Sequence, residues 1–113
     1  MGFFSKVPEI DPLTASPRVR EGSAVALDVR EEDEWAAGHI AGAVHIPLSD
    51  LARRRDEIPQ DRPIVAVCRS GNRSASVTEA LVRAGYRAEN LAGGMKAWKA
   101  AGLPIEPADG WIA

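Results

Sequence analysis

The sequence predicts an α/β fold built on a mostly parallel sheet. Short apolar runs alternate with stretches of helical character along the 113-residue chain. The run over residues 24–29 is apolar throughout most of its length and lacks the polar alternation of a half-exposed strand. Such a run is typical of a strand that is covered on both faces. The segments between the runs are too long for hairpins, so we expect right-handed crossovers between parallel strands. One domain accounts for the chain, because a second domain of ordinary size does not fit.

The N-terminal third of the chain contains two of the predicted strands. A short strand near Ile10 precedes a helix around residues 16–21, and the apolar run over residues 24–29 follows as a buried strand. The acidic residues 31–34 and the later Gly38 predict a short helix between them. Carboxylates stabilise the first turn of a helix, and glycine commonly ends one.

The middle of the chain continues the alternation of strands and helices. Residues 43–46 predict the third strand and residues 63–67 the fourth, which runs directly into the single cysteine. Between them we expect a helix over residues 51–57, with Ser49 or Asp50 as its N-terminal cap.

The C-terminal third adds two helices around one more strand. Apolar side chains at helical spacing predict a helix over residues 74–84, with Ser74 as its cap. A strand over residues 87–91 follows, and a last helix spans residues 95–101.

Composition excludes several classes of protein. Fourteen basic against sixteen acidic residues give a net charge of −2, which argues against nucleic acid as the main partner. One cysteine makes neither an internal disulfide nor a cysteine-only metal site. No apolar stretch approaches the length of a membrane span, so we expect a cytoplasmic protein with no membrane partner.

Asp28 and Cys68 each come at the end of a buried predicted strand. The carboxyl ends of parallel strands meet at one edge of a sheet, and ligands bind at that edge in open sheets of this class. We therefore expect the functional site where these two residues converge.

Cys68 begins a polar turn that leads into a helix. The backbone N–H groups of residues 69–73 can turn inward, and the following helix points its positive end at the same place. Arg69 and Arg73 add full positive charges. Each of these features favours the thiolate, which is the nucleophile, and lowers the pKa of Cys68 below about 8.5. The same donors suit an incoming anion.

The residue types in the turn agree with this interpretation. Gly71 can adopt the positive φ that a tight loop needs, and Asn72 tolerates it better than most residues. Ser70 and Ser74 complete the polar stretch. The alternative is a buried structural cysteine, which the position of Cys68 at the entrance to a polar turn disfavours.

The remaining candidates receive mainly structural interpretations. Asp28 is expected to pair with Arg30 or to cap backbone amides, although it could also orient a loop arginine or accept a proton. His39 and His45 lack a third ligand, so we expect no metal site.

Three stretches of the chain resemble the rhodanese-like sulfurtransferase family. In chain order they are Leu27-Asp28-Val29-Arg30 followed by Glu34-Trp35 and Gly38-His39-Ile40, then Cys68-Arg69-Ser70-Gly71-Asn72-Arg73-Ser74, and last Leu91-x-Gly93-Gly94 with Trp98. The resemblance assigns residues 10–106 to one rhodanese domain, residues 1–9 to an N-terminal extension and residues 107–113 to a C-terminal tail. It implies a three-layer α/β/α fold with a central five-stranded parallel sheet.

The resemblance also implies a reaction. The thiolate of Cys68 would take a sulfane sulfur from thiosulfate or a persulfide and pass it to cyanide or a thiol, without a cofactor. The amides of residues 69–73 would hold the sulfur, and the Arg69 and Arg73 side chains would attract the anionic donor. Asp28, Arg30 and Ser74 are the candidate supporting residues.

Two other functions stay open. The chain could be a persulfide carrier that serves a protein partner. It could also be a phosphatase or arsenate reductase, but these relatives place an arginine six residues after the cysteine, whereas Arg73 is the fifth residue after Cys68. Because no second cysteine is present, the sulfur acceptor is expected to come from outside the chain.

Overall fold

A computed structural model describes residues 7–113. Most of the predicted N-terminal extension, residues 1–6, lies outside the described part of the chain. The strands are β1 (Glu9–Ile10), β2 (Val25–Asp28), β3 (Val44–His45), β4 (Ile64–Val67) and β5 (Ala88–Leu91). The helices are α1 (Pro12–Glu21), α2 (Glu32–Ala37), α3 (Asn72–Arg83) and α4 (Gly94–Ala100).

The strands form one parallel sheet in the order β1-β5-β4-β2-β3. This confirms the predicted α/β fold with five parallel strands. The last residues of β2 and β4 are neighbours, since Asp28 pairs with Val67. Cys68 follows directly at the centre of the sheet, with β5 on one side and β2 on the other.

Two apolar cores lie on opposite faces of the sheet. Alternating residues of each strand point to opposite faces, so Val65 and Val67 belong to one core and Ile64 and Ala66 to the other. Helices α1 and α4 contribute to the first core and α3 to the second. The expected three layers are therefore present.

The predicted helix over residues 51–57 is wrong. Two short 3₁₀ turns, Leu48–Asp50 and Arg55–Glu57, stand on either side of an irregular stretch. Only the first two residues of the predicted helix are apolar, so it has no continuous apolar face to bury. A helix this short needs such packing to form.

Two helix starts also differ from the prediction. Helix α1 begins four residues early at Pro12, because the Asp11 side chain caps it by accepting a bond from the Thr14 amide at 3.1 Å. Helix α3 begins at Asn72 after Gly71, so Ser74 lies inside the first turn and is not the cap.

The segment after the last helix packs back onto the domain. The Trp111 amide donates to the Ala37 carbonyl at 3.0 Å, and Ile112 contacts the first core. None of the helices within residues 7–113 is both long and apolar enough to cross a membrane.

Candidate active site

The sulfur of Cys68 is the centre of a buried hydrogen-bonded loop. It accepts from the Gly71 amide at 3.1 Å, from the Ser74 amide at 3.3 Å and from the Ser74 hydroxyl at 3.1 Å. The cysteine itself is only 1% exposed. All three donors stabilise negative charge on the sulfur, so the loop is arranged to hold a thiolate.

The loop can close around the sulfur because glycine occupies its turning point. Gly71 has φ +102°, in the region that favours glycine, and this turn aims its amide at the sulfur. The exposed Ser70 and Asn72 stand on the outside of the loop. Helix α3 starts immediately afterwards, so its N-terminal dipole adds to the positive potential at the sulfur.

The start of α4 holds the same loop from the other side. The amides of Met95 and Lys96 donate to the carbonyls of Cys68 and Arg69 at 2.9 and 3.0 Å. A Cβ on Gly94 would lie 2.5 Å from the Cys68 carbonyl oxygen, so only glycine permits this approach. The Gly93-Gly94 pair in the sequence thus belongs to the support of the cysteine loop.

Burial and hydrogen bonding act on the pKa of Cys68 in opposite directions. Burial raises it, whereas the Ser74 hydroxyl and the loop amides of Ser74, Gly71 and Ser70 lower it. The hydrogen bonds prevail, and the pKa of the Cys68 thiol lies below its ordinary value. A larger fraction of the sulfur is therefore thiolate at neutral pH than in a free cysteine.

Both loop arginines already have partners. Arg73 forms two bonds to Glu34, Nη1 to Oε1 and Nη2 to Oε2, each 2.9 Å long. Arg69 donates from Nε to the backbone oxygen of Ala113 at 2.8 Å. The sequence predicts two arginines that attract an anion, and the structure adds an acidic partner for one of them.

The pairing of Arg73 with Glu34 perturbs both groups. The hydrogen-bonded Arg73 guanidinium lowers the pKa of Glu34 to about 2, against the opposing effect of burial. In turn the Glu34 carboxylate raises the pKa of Arg73. Both groups are therefore charged throughout the neutral range. Sequence reasoning placed Glu34 in the first turn of a helix and missed this contact.

Asp28 and Arg30 form a buried ion pair beside the site. Arg30 Nη2 lies 2.8 Å from Asp28 Oδ2, and Nε and the Arg30 amide also donate to the carboxylate. The same Nη2 donates to the Gly38 carbonyl at 2.8 Å, which ties the end of α2 to β2. The predicted pairing is present, and none of the side-chain bonds of either residue involves Cys68.

Asn90 is a buried polar residue that sequence reasoning missed. Its Oδ1 accepts from the Ser74 hydroxyl at 2.6 Å, and its Nδ2 donates to the Gly71 carbonyl at 3.0 Å. It therefore touches both residues that donate to Cys68. The signal in the sequence was an asparagine in a predicted strand, three residues before the Gly93-Gly94 pair.

The two histidines both stack on the ring of Trp35. The ring centroids of His39 and His45 lie 3.6 and 4.6 Å from that of Trp35. Each histidine also bonds a backbone carbonyl, His39 that of Trp35 and His45 that of Arg30. Within residues 7–113, no three His, Cys, Asp or Glu side chains converge as metal ligands would.

Comparison with known proteins identifies the family. The family described as "Rhodanese-like domain" matches residues 13–101. A sulfurtransferase of Allochromatium vinosum is 42% identical over 106 residues, which cover 92% of this chain and 99% of that protein. The putative sulfurtransferase YtwF of Bacillus subtilis is 40% identical, covering 83% of this chain and 92% of that protein. The chain belongs to the rhodanese-like family.

A solved structure agrees at the level of the fold. The crystal structure of a rhodanese-related protein from Thermoplasma volcanium matches with a TM-score of 0.81 and 30% identity, over 87% of this chain and 96% of that chain. The family and its sulfurtransferase members support sulfur transfer as the general chemistry of this protein.

Proposed function

We propose that this protein moves a sulfane sulfur from thiosulfate or a persulfide to an external acceptor through a persulfide on Cys68. The observation that carries the proposal is the set of three donors that converge on the Cys68 sulfur. They favour the thiolate, and a thiolate is the form that attacks sulfur.

The first step loads the sulfur onto the protein. The Cys68 thiolate attacks the outer sulfur of the donor, so a new S–S bond forms as the donor's own S–S bond breaks. With thiosulfate, sulfite leaves with the electron pair of that bond. With a persulfide, the donor leaves as a thiolate. The amides of residues 69–73 then stabilise the negative outer sulfur on Cys68.

The second step returns the enzyme to its starting state. A thiolate or cyanide attacks the outer sulfur, and the Cys68 thiolate leaves with the electrons of the S–S bond. The products are a new persulfide or thiocyanate. Because Cys68 is the only cysteine in the chain, no internal thiol competes for this sulfur. A two-step covalent mechanism of this kind gives ping-pong kinetics.

The pairing of Arg73 argues against phosphate ester hydrolysis. A phosphatase needs the loop arginine to bind the phosphate oxygens, whereas both terminal nitrogens of Arg73 are bonded to Glu34. The spacing in the sequence also argues against a phosphatase, because Arg73 is the fifth residue after Cys68 and not the sixth. Sulfur transfer, in which a single sulfur atom occupies the loop, fits the observed geometry better.

The test is intact-protein mass spectrometry after treatment with thiosulfate or with a small persulfide. We expect a gain of one sulfur atom, reversed by cyanide with release of thiocyanate. Cys68→Ser is the matched control and should gain nothing. A wild-type protein that no donor loads, or a Cys68→Ser variant that still makes thiocyanate, would refute the proposal.

A further inference from the structure

An ion pair joins Arg73, in the cysteine loop, to Glu34 in α2. Arg73 and Glu34 meet through two parallel bonds of 2.9 Å, the strongest geometry available to this pair of groups. The Glu34 side chain is only 14% exposed, whereas that of Arg73 is 36% exposed. Glu34 Oε1 also accepts from the Glu31 amide at 3.0 Å.

These contacts hold the carboxylate in place. Glu34 belongs to the capping box at the start of α2, so its carboxylate bonds both to the N-terminus of this helix and to Arg73. Arg73 belongs to the cysteine loop and directly precedes Ser74, which donates to the Cys68 sulfur. Its positive charge is therefore balanced by a carboxylate that other contacts keep in position.

This balance matters because loading brings two negative partners together. Thiosulfate carries two negative charges and must approach a thiolate that carries one. A free arginine beside the sulfur would attract such a dianion, but the Glu34 carboxylate next to it repels the same dianion. A persulfide with an uncharged organic group brings at most one negative charge, so the same carboxylate opposes it less.

We propose that Glu34 determines donor specificity by neutralising Arg73, so that the site disfavours dianionic thiosulfate and accepts persulfides of low charge. This inference rests on the proposed function, because it names the class of donor for the same cysteine. Glu34 acts through Arg73 and not on the reacting sulfur.

Replacing Glu34→Gln tests the inference with little change in shape. The glutamine oxygen can still accept from the Glu31 amide and keep the helix cap, while the negative charge opposite Arg73 disappears. Glu32→Gln is the matched control, since it removes the same charge from the same turn of α2. Glu32 is exposed and does not contact Arg73.

The measurement is the second-order rate at which Cys68 gains sulfur, followed by intact mass. The two donors are thiosulfate and hydroxyethyl persulfide generated in situ. We expect Glu34→Gln to raise the thiosulfate rate about tenfold and the persulfide rate less than about twofold. Glu32→Gln should leave both rates at the wild-type value. The gain for thiosulfate should shrink at high salt, because salt screens the repulsion between Glu34 and a dianion approaching from solvent.

A second variant checks that the effect passes through Arg73. A chain with both Glu34→Gln and Arg73→Gln should lose the gain for thiosulfate, whereas a gain that survives would overturn the inference. If Glu34→Gln unfolds, Arg73→Gln alone takes its place. It should lower the thiosulfate rate more than the persulfide rate, because the Glu34 charge is then no longer neutralised, and an equal change of both rates would overturn the inference.

The outcomes separate this inference from the proposed function. If both donors load Cys68 but Glu34→Gln leaves their rate ratio unchanged or lowers it, the specificity role is wrong and sulfur transfer stands. Equal loss of both rates would mean that the ion pair only supports the fold. If no donor loads Cys68 in any variant, the proposed function itself fails.

Discussion

A single hydroxyl hydrogen lies between two acceptors beside Cys68. Ser74 Oγ is 3.1 Å from the sulfur and 2.6 Å from Asn90 Oδ1, yet a hydroxyl donates only one hydrogen. When Cys68 is a thiol, its hydrogen can point at Ser74 while Ser74 donates to Asn90. When Cys68 is a thiolate, the hydroxyl can turn to the sulfur. Asn90 and the thiolate therefore compete for the same donor.

Ser74→Ala should raise the pKa of Cys68. The substitution removes a hydrogen bond that favours the charged sulfur, and hydrogen bonds to charged groups contribute about 1.5–3 kcal/mol. We expect the thiolate fraction near neutral pH to fall about tenfold. Ultraviolet titration of the thiolate measures this directly, because the chain has one cysteine.

Ser76→Ala provides the control for that titration. Ser76 is an exposed residue of α3, and its side chain makes no hydrogen bond to Cys68. Its titration should match that of the wild type. A Ser74→Ala protein with an unchanged curve would show that the backbone amides alone set the pKa.

At the scale of elements, two helices meet the same loop at their N-terminal ends. Helix α3 directs the Ser74 amide at the Cys68 sulfur, whereas α4 directs its first amides at the carbonyls of Cys68 and Arg69. The loop is thus held by its sulfur on one side and by its backbone oxygens on the other. This arrangement requires α4 to approach very closely, which only Gly94 allows.

Gly94→Ala should displace α4 from the loop. The new methyl group would lie about 2.5 Å from the Cys68 carbonyl oxygen and 2.6 Å from that of Arg69, at a backbone φ of +61°. We expect a loss of several kcal/mol in the free energy of unfolding and slower loading of Cys68. Urea unfolding and intact-mass kinetics measure the two effects.

Gly102→Ala separates contact from backbone strain in this experiment. Gly102 has a similar φ of +78°, but a Cβ there would meet nothing within 4 Å. Gly102→Ala should lower the free energy of unfolding by only about 1–2 kcal/mol, which is the strain of a left-handed backbone conformation. It should leave sulfur loading unchanged. Equal effects of the two substitutions would contradict the proposed role of the close approach.

At the scale of the whole molecule, the ion pair between Glu34 and Arg73 joins distant parts of the chain. Helix α2 follows β2, whereas Arg73 stands at the start of α3 after β4, 39 residues later. The Asp28–Arg30 pair adds a second link, since Arg30 also bonds the Gly38 carbonyl at the end of α2. Together these pairs position α2 beside the cysteine loop.

The ion pair should make stability depend on pH in the acid range. The folded-state pKa of Glu34 is about 2, below its ordinary 4.5. The ionised carboxylate therefore contributes its full stabilisation of the folded protein above about pH 4.5. It is lost as pH falls toward 2. Water around the partly exposed Arg73 weakens the ion pair. We therefore expect the free energy of unfolding at pH 7 to be about 1–2 kcal/mol higher for the wild type than for Glu34→Gln.

Urea unfolding of both proteins between pH 7 and pH 3 tests this expectation. The difference in unfolding free energy should be constant down to about pH 5 and then decrease. A difference that is the same at both ends of the range would show that the Glu34 carboxylate keeps no depressed pKa in the folded protein.

Local pattern explains which elements the sequence predicts well. Strands β2 and β4 consist largely of aliphatic residues, and glycines follow several of the helices, so their types are readable without tertiary information. The same kind of local pattern shows why the predicted helix over residues 51–57 is wrong. Charged side chains leave that segment without an apolar face to bury. The prediction of Ser74 as the cap of α3 is wrong as well. The helix begins at Asn72, and the Ser74 hydroxyl bonds to the Cys68 sulfur.

Local sequence patterns were enough to predict the fold class, the position of Cys68 after a buried strand and the glycine on which its loop turns. These properties depend on periodicity and turn chemistry, which act over a few residues. The groups that surround the sulfur became known only from the folded chain. Asn90 reaches Ser74 across 16 residues of chain and Glu34 reaches Arg73 across 39, and local sequence patterns carry no information over such separations.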